Sequence, residues 1–400
     1  MCVVRKQVLV YIRWCKELYM FSNYKQKFFN LISVWIPHSW KSWLTIVSVF
    51  FIIIGHTGLW VMPNIGAQFA VSQSLSVNPF SDPSAHYIFT NYFQPLIFGV
   101  FWGSTLYGYI VYAFIITICF LLLFLLWFIK FHGEKVAIEE YKTLIPILFP
   151  VFMVPLYWIG MDGMTLLLML IIMINFSSKW VIIPAMLLAL QHFEQGFMSF
   201  LILFGTVIIS IIFSYDRIKF EAFKKIFYVI CGVIFGKMLL MLIFFILHIN
   251  MSGDRITYMK SNASLYVEQW KLFWPYILFS LIGICWVLIF LKIKKTWPLL
   301  TGIIFTFFLL LIIGDQTRVG TIVLFPAVFF WIFMDKELWV TLNKKLVFIL
   351  IAIYLVLPVF FVWGFPFRNL WVYDILEIRS IQKSGISIMQ SDPIKPFRRN

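Results

Sequence analysis

The sequence predicts an all-α, polytopic membrane protein with about eleven transmembrane helices. Apolar residues make up 62% of the chain and charged residues only 12%, whereas a soluble domain carries about 25% charged residues. A chain of 400 residues has room for roughly ten or more spans of about 20 residues each. Lys and Arg gather in clusters between the apolar runs, and the alternating pattern of an outer-membrane barrel is absent.

The amino-terminal segment, residues 1–42, is predicted to be a basic cytoplasmic or juxtamembrane segment. Its Lys and Arg residues are interspersed with aromatic residues, as in segments that lie on an anionic leaflet. It lacks the compact apolar core followed by small residues that is typical of a cleaved signal peptide. The first span is expected over residues 43–62.

The next polar stretch, residues 63–94, contains no Lys or Arg and holds one acid, Asp82. The positive-inside rule places such a stretch outside the cytoplasm. The apolar sequence that follows, residues 95–131, is too long for one upright helix. We therefore expect an interfacial helix over about 83–103 that leads into a second span from about residue 106.

Short polar turns separate the remaining apolar runs, and basic clusters mark every second turn as cytoplasmic. By the positive-inside rule the amino terminus is therefore inside and the carboxyl terminus outside. This predicts a transmembrane domain over residues 43–364 and an external tail over 365–400. The further spans are expected at 143–159, 164–176, 180–190, 196–214, 226–249, 270–291, 297–313, 321–334 and 346–364.

Several carboxylates lie in the predicted outer turns, and none falls inside a predicted span. An enzyme that acts on a lipid head group needs its carboxylates at this depth. A proton- or ion-coupled transporter would more usually carry acids near the midplane. These outer acids include Asp82, Asp162, Glu194, Asp254 and Asp315.

Two outer turns combine a carboxylate with a histidine. Asp82 precedes a proline, which is also the pattern of an ordinary helix start, and His86 follows one turn later on the same helix face. The turn at residues 191–195 holds His192, Glu194 and Gln195. We interpret Asp82 as a candidate catalytic residue and the others as candidate substrate-binding residues.

Two further outer turns are short and polar. Asp162 lies in Gly160–Gly163, where Asp is also favoured for its turn dihedrals. Asp315 and Arg318 lie in a polar segment between two apolar runs, and such a pair is worth little when it is exposed. A guanidinium suits bidentate phosphate binding. We interpret Asp162 as a candidate catalytic residue, Asp315 as a candidate substrate-binding residue and Arg318 as a candidate phosphate-binding residue.

Two other cations are candidate phosphate-binding residues. Lys237 is the only charged residue deep within a predicted span. An unpaired cation at that depth raises the free energy of membrane insertion by roughly 3 kcal/mol or more. Arg255 lies in the outer loop at residues 250–269. No cofactor is predicted, because no cluster has clear metal-ligand spacing, although a divalent ion between the acids and a phosphate is left open.

The layout of residues 43–214 resembles the GT-C superfamily of membrane glycosyltransferases. The shared features are an acid in the first outer loop, interfacial helices before the second span, and a short turn with its own acid after the third span, here Asp162. The turn with His192 and Glu194 is similar to short turns in some bacterial members. The doubled acid of the family's first loop is absent, because Asp82 stands alone there.

The resemblance implies transfer of a sugar, outside the cytoplasm, from a polyprenyl phosphate donor to an envelope glycan or lipid acceptor. It implies that Asp82, with Asp162 second, deprotonates the acceptor hydroxyl. It also implies that Arg318, helped by Arg255 and Lys237, stabilises charge on the departing phosphate. Direct displacement would invert the anomeric centre.

Other functions remain open at this level. An O-antigen-type polysaccharide polymerase also uses lipid-linked sugars but usually relies on Arg in a large outer loop. A transporter or flippase would predict an inverted repeat with Lys237 as its site, and a scaffold would use the outer acids only as caps and turn residues. Nucleic acid is excluded as a partner, because the net charge of +15 sits in cytoplasmic clusters beside the bilayer. The abundance of Phe, Ile and Lys indicates a bacterial source, and hence the inner membrane.

Overall fold

The chain is helical, apart from one short hairpin, over the residues that the structure describes. The structure is a computed structural model, and it describes residues 40–57, 59, 61–62, 65–73, 92–133, 140–214, 217–248, 255–357, 359–363 and 365–369. This agrees with the predicted all-α class. Asp82, His86, the segment at 1–39 and the tail from residue 370 onward lie outside the described residues.

Five helices lie among the described residues up to residue 157. A 3₁₀ segment, Glu140–Leu148, precedes the fifth helix, and a proline begins that helix, where its missing N–H costs nothing. The helices are α1 (Trp40–Thr57), α2 (Ile65–Gln73), α3 (Phe93–Phe101), α4 (Leu106–Gly133) and α5 (Pro150–Tyr157).

The second half of the chain continues with longer helices and ends in a hairpin. Its helices are α6 (Asp162–Ile174), α7 (Ile182–Ser214), α8 (Arg217–Ile246), α9 (Arg255–Ile282), α10 (Trp286–Leu291), α11 (Ile293–Leu309), α12 (Gln316–Val328), α13 (Lys336–Thr341) and α14 (Lys344–Val356). Short 3₁₀ turns at Lys179–Val181, Gly283–Cys285 and Leu310–Ile312 and a π turn at Phe329–Phe333 extend them. The strands are β1 (Val359–Trp363) and β2 (Phe365–Asn369).

Six helices among the described residues are long and apolar enough to cross a membrane. They make the chain an integral, multi-pass membrane protein. Two shorter apolar helices, Trp40–His56 and Asp162–Ile174, fall below that length. The six are Leu106–His132, Lys179–Phe213, Phe220–Ile246, Asn262–Leu291, Ile293–Ile312 and Gln316–Phe333.

The helix α7 contains a reversal of chain direction at His192. Its backbone there is not helical (φ −161, ψ 88). A β-carbon built on Gly196 would lie 2.8 Å from Leu188 Cγ, whereas eight residues of straight helix extend about 12 Å. The segments before and after His192 therefore fold against each other, as the predicted turn at 191–195 requires.

Contacts with α8 give the direction of each half of α7. Near the start of the second half, Phe193 lies beside Lys237, and further along it Phe204 stacks on Phe223 at 4.7 Å between ring centroids, so this half runs antiparallel to α8. In the first half, Gly232 packs on Ala185 and Gly236 packs on the Met186 backbone, so residue numbers rise together and the segments are parallel. The two halves of α7 consequently run in opposite directions.

Aromatic side chains form the core between α4, α5 and α12. The ring of Phe124 lies 4.4 Å from that of Phe152 and 4.9 Å from that of Phe333. Phe120 stacks on Phe152 at 5.7 Å and meets Phe325 of α12 edge to face at 5.7 Å, and all five rings are buried. This core holds α12 against α4 and α5, and so fixes the position of the polar residues at the start of α12.

Several parts of the chain differ from the sequence prediction. The predicted outer loop at 250–269 is helical from Arg255 onward, because α9 spans Arg255–Ile282. The predicted span at 143–159 divides into the 3₁₀ segment and the short helix α5, since Pro146 and Pro150 interrupt a continuous α-helix. The last span was expected to reach residue 364, but α14 ends at Val356 and β1 pairs antiparallel with β2. The aromatic and β-branched run at 359–363 favours a strand, and residues 365–369 of the predicted tail provide its partner. In the first outer loop, α2 is a helix that the polar composition did not predict, and α3 is the described part of the expected interfacial helix.

The contact between α7 and α8 predicts the effect of a single methyl group. A β-carbon at Gly236 would collide with the carbonyl oxygen of Met186, so Gly236→Ala should destabilise the protein by about 1–3 kcal/mol. In the matched control, Gly205→Ala, the new methyl meets no atom within 4 Å, and the substitution should stabilise the helix by about 0.5–1 kcal/mol. Unfolding in detergent measures both. Equal effects would contradict the close packing of these helices.

Candidate functional site

Two of the predicted outer turns meet at one buried ion cluster. Arg318 Nη1 lies 3.2 Å from both Oδ1 and Oδ2 of Asp162, which is 156 residues away in the chain. Arg318 Nε donates a hydrogen bond to Asp315 Oδ2. Asp162 is fully buried and Arg318 is 8% exposed. We call Asp162, Asp315 and Arg318 the acidic cluster.

Helix ends position both carboxylates. Asp162 is the first residue of α6, and Asp315 immediately precedes α12. The amino-terminal end of a helix carries a partial positive charge that stabilises a carboxylate. In neither helix does the side chain of the N-cap residue accept a hydrogen bond from a backbone N–H of the first turn. The carboxylate of Asp315 therefore faces Arg318, one turn further on, and is not used as a helix cap.

The indole ring of Trp158 covers the guanidinium of Arg318. The Arg318 Cζ atom lies 5.5 Å from the centroid of the Trp158 ring, in the range of a cation–π contact. Trp158 is itself buried and follows the last residue of α5. The ion pairs of the acidic cluster are therefore shielded from water, and the weak surface pair expected from sequence does not describe them.

Two buried glutamines fix the backbone before Asp162. Gln94 Nε2 donates to the carbonyl of Gly160 at 3.2 Å, and Gln191 Nε2 donates to that of Met161 at 3.2 Å. The Gln94 backbone N–H donates in turn to Gln191 Oε1 at 3.0 Å. This glutamine pair, which sequence reasoning missed as part of the site, ties α3, the turn at 160–163 and α7 together. A signal was present, since an amide flanked by apolar runs rarely lacks a partner.

The histidine turn at 191–195 adjoins the acidic cluster through Gln191 and Met161. His192 Nδ1 lies 3.5 Å from Glu194 Oε2. His192 and Gln195 are buried, and the Glu194 side chain is 36% exposed. Gln191 immediately precedes His192, and its side chain donates to the carbonyl of Met161, which immediately precedes Asp162. The turn and Asp162 are therefore joined through their neighbours in the chain.

The other predicted cations lie apart from the acidic cluster or beyond description. Lys237 Nζ lies 5.0 Å from the centroid of the Phe193 ring, which places this half-buried lysine beside the histidine turn. Arg255 begins α9, but its side chain is outside the described part of the chain, as are Asp82 and His86. The structure thus brings together three of the predicted site residues and places the histidine turn next to them.

The charges of the acidic cluster do not balance. With both carboxylates ionised, the cluster holds one more negative than positive charge. Burial raises the pKa of the Asp315 carboxyl, and Arg318 opposes this shift. Asp315 Oδ1 is buried and accepts no hydrogen bond from any described residue. The cluster can therefore accept a proton or a hydrogen-bond donor at this oxygen.

Within the described ranges, no three His, Cys, Asp or Glu side chains could hold a metal ion.

Removing the shared cation should be costly. Arg318→Met leaves two buried carboxylates without a counter-ion, and the protein should lose about 3–5 kcal/mol of unfolding free energy. The triple variant that adds Asp162→Asn and Asp315→Asn should lose less, because no buried charge remains. Denaturant unfolding in detergent measures both. The control is Lys295→Met, at the exposed pair of Lys295 with Glu337, and a loss from Arg318→Met no larger than that of the control would contradict the burial of the cluster.

Comparisons with known proteins give no match: no family model, no curated protein and no solved structure matches the chain.

Proposed function

We propose that the chain is an integral-membrane glycosyltransferase. It moves a sugar from a polyprenyl-phosphate donor to an envelope glycan or lipid acceptor at the external face of a bacterial inner membrane. The observation that carries the proposal is the acidic cluster, in which two carboxylates and a guanidinium meet in a dry site at the ends of two helices. Sugar transfer from a lipid phosphate needs a base for a hydroxyl and a cation for a phosphate.

The proposal includes the predicted topology of about eleven spans with the amino terminus inside. The reversal at His192 supports it, because it divides the longest apolar helix into two antiparallel segments. The helix α6 has 13 residues and is about 20 Å long, less than the roughly 30 Å of a hydrocarbon core. The acidic cluster at the outer end of α6 is then recessed below the surface, within reach of a lipid phosphate.

The chemistry assigns a role to each group of residues. A carboxylate takes the proton of the acceptor hydroxyl as its oxygen attacks the anomeric carbon, and the resemblance to the GT-C superfamily implies this role for Asp82 and then Asp162. Arg318, with Arg255 and Lys237, stabilises the charge on the departing phosphate. The predicted sugar-binding residues are His86, His192, Glu194, Gln195 and Asp315.

A transporter for lipid-linked substrates is the second candidate. One observation favours it: the buried ion cluster lies at the ends of short, interrupted helices, as substrate and ion sites of transporters often do. Such a protein would move a fluorescent lipid-linked sugar across a proteoliposome membrane and release no lipid phosphate. The third candidate, a polysaccharide polymerase, would release the lipid carrier while its product grows in chain length.

The glycosyltransferase proposal predicts that the guanidinium geometry matters beyond its charge. Arg318→Lys keeps the charge but loses the planar fork that contacts two carboxylates. Release of polyprenyl phosphate by purified protein in nanodiscs should fall by about 100-fold. The matched control is Lys295→Arg, which keeps the charge at an exposed pair and should leave the rate unchanged. Equal rates for both variants would contradict a role for Arg318 in the transfer.

The proposed topology predicts which turns are reached from outside. In a chain whose five cysteines are replaced by serine, Glu194→Cys should react with a membrane-impermeant maleimide in intact cells. Ser177→Cys, in the exposed turn after α6, should react only after the cells are opened. Reaction of the Ser177→Cys variant in intact cells would contradict the orientation.

A further inference from the structure

We propose that Asp315, and not Asp162, is the carboxylate of the acidic cluster that takes the proton of the acceptor hydroxyl. The inference rests on the proposed glycosyl transfer and refines its site. It rests on how the two carboxylates differ in hydrogen bonding and burial, a difference that the sequence does not contain.

Asp162 is bound on both oxygens by the same cation. Oδ1 and Oδ2 each lie 3.2 Å from Arg318 Nη1, and the side chain has no exposed surface. Protonating either oxygen would weaken a charge-assisted contact that is worth about twice a neutral hydrogen bond. Asp162 is therefore the group that holds Arg318 in place, and it acts as a positioning residue.

Asp315 is bound on one oxygen only. Oδ2 accepts from Arg318 Nε, while Oδ1 accepts nothing from the residues that the structure describes and is buried. A buried carboxylate oxygen without a donor costs free energy, and a bound hydroxyl would remove that cost. The side chain of Asp315 retains 12% exposure, so it is the more accessible of the two carboxylates.

The turn that carries Asp315 is rigid. A β-carbon on Gly314 would lie 3.0 Å from Tyr266 Cζ, so the backbone is pressed against that ring. Gln316 Nε2 donates to the carbonyls of Tyr266 and Leu310, each at 3.3 Å. Among the described residues, Asp162 from α6 and Arg318 from α12 interact electrostatically with Asp315, and the Tyr266 ring from α9 packs against the preceding residue, Gly314. A carboxylate held by these contacts, with one buried oxygen that accepts nothing from the described residues, is suited to proton transfer in a defined direction.

The transfer step balances with these groups. The acceptor hydroxyl oxygen forms a bond to the anomeric carbon, and the bond from that carbon to the phosphate oxygen breaks, with its electron pair leaving on polyprenyl phosphate. The hydroxyl proton moves to Asp315 Oδ1 and then to water. Burial raises the pKa of both carboxyls, that of Asp162 to about 6, so the choice between them rests on hydrogen bonding and exposure and not on pKa.

Chemical labelling tests the assignment without turnover. Dicyclohexylcarbodiimide reacts with protonated carboxyls in apolar surroundings, and mass spectrometry of the labelled full-length protein in detergent locates the adduct. We expect Asp315 to be modified more than Asp162. Equal modification, or a preference for Asp162, would overturn the proposal.

Turnover provides the second measurement. Asp315→Asn is isosteric, and its amide oxygen can still accept from Arg318 Nε. It should lower kcat by on the order of 100-fold or more and remove the acidic limb of the pH–rate profile. The matched control is Asp335→Asn at the start of α13, where the carboxylate accepts from the Glu337 and Leu338 N–H groups. This control should keep the wild-type rate and profile.

The outcomes separate the two proposals. An acidic limb that persists in Asp315→Asn but disappears in Asp82→Asn would overturn the role of Asp315 and leave glycosyl transfer intact. Absence of lipid-phosphate release by the wild-type protein would count against glycosyl transfer itself. The labelling ratio would then decide alone whether Asp315 is the open carboxyl.

Discussion

The structure depends on the neutralisation of one buried guanidinium. Arg318 is 8% exposed, and an unpaired cation at that depth would be too costly to retain. Asp315 supplies a carboxylate from the same turn, and Asp162 supplies another from a distant part of the chain. The contact fixes the start of α12 against the start of α6. Trp158 and the aromatic core then exclude water from the same region.

The depth of the site follows from helix length and from the reversal in α7. The chain leaves Asp162 along α6 and returns along the first half of α7 to Gln191, whose side chain reaches the Met161 carbonyl. The start of α6 and the end of the first half of α7 therefore lie at the same depth. Because α6 has only 13 residues, the level is recessed if the opposite end lies at a membrane surface. Short helices thus place polar groups within the protein without placing them in lipid.

The sequence predicted the turns but not the pairs. Polar interruptions at 160–163, 191–195 and 314–318 identified these turns, since a long apolar run cannot contain them without a change of direction. The ion pair between Arg318 and Asp162 could not be predicted, because the sequence around either residue does not indicate which residue, 156 positions away, it will contact. The amide contacts of Gln94 and Gln191 depend on the same packing. The hairpin after Val356 was missed because aromatic, apolar sequence fits a strand as well as a span.

A purely structural role explains the acidic cluster poorly. A buried ion pair seldom stabilises a fold more than apolar residues of similar volume would, because desolvation offsets the Coulombic attraction. A cluster kept for stability would also be expected to balance its charges, and with both carboxylates ionised this one does not. Two carboxylates in different surroundings are suited to different tasks, one to hold a cation and one to exchange a proton. The asymmetry between Asp162 and Asp315 is therefore the feature of the fold on which the proposed chemistry depends.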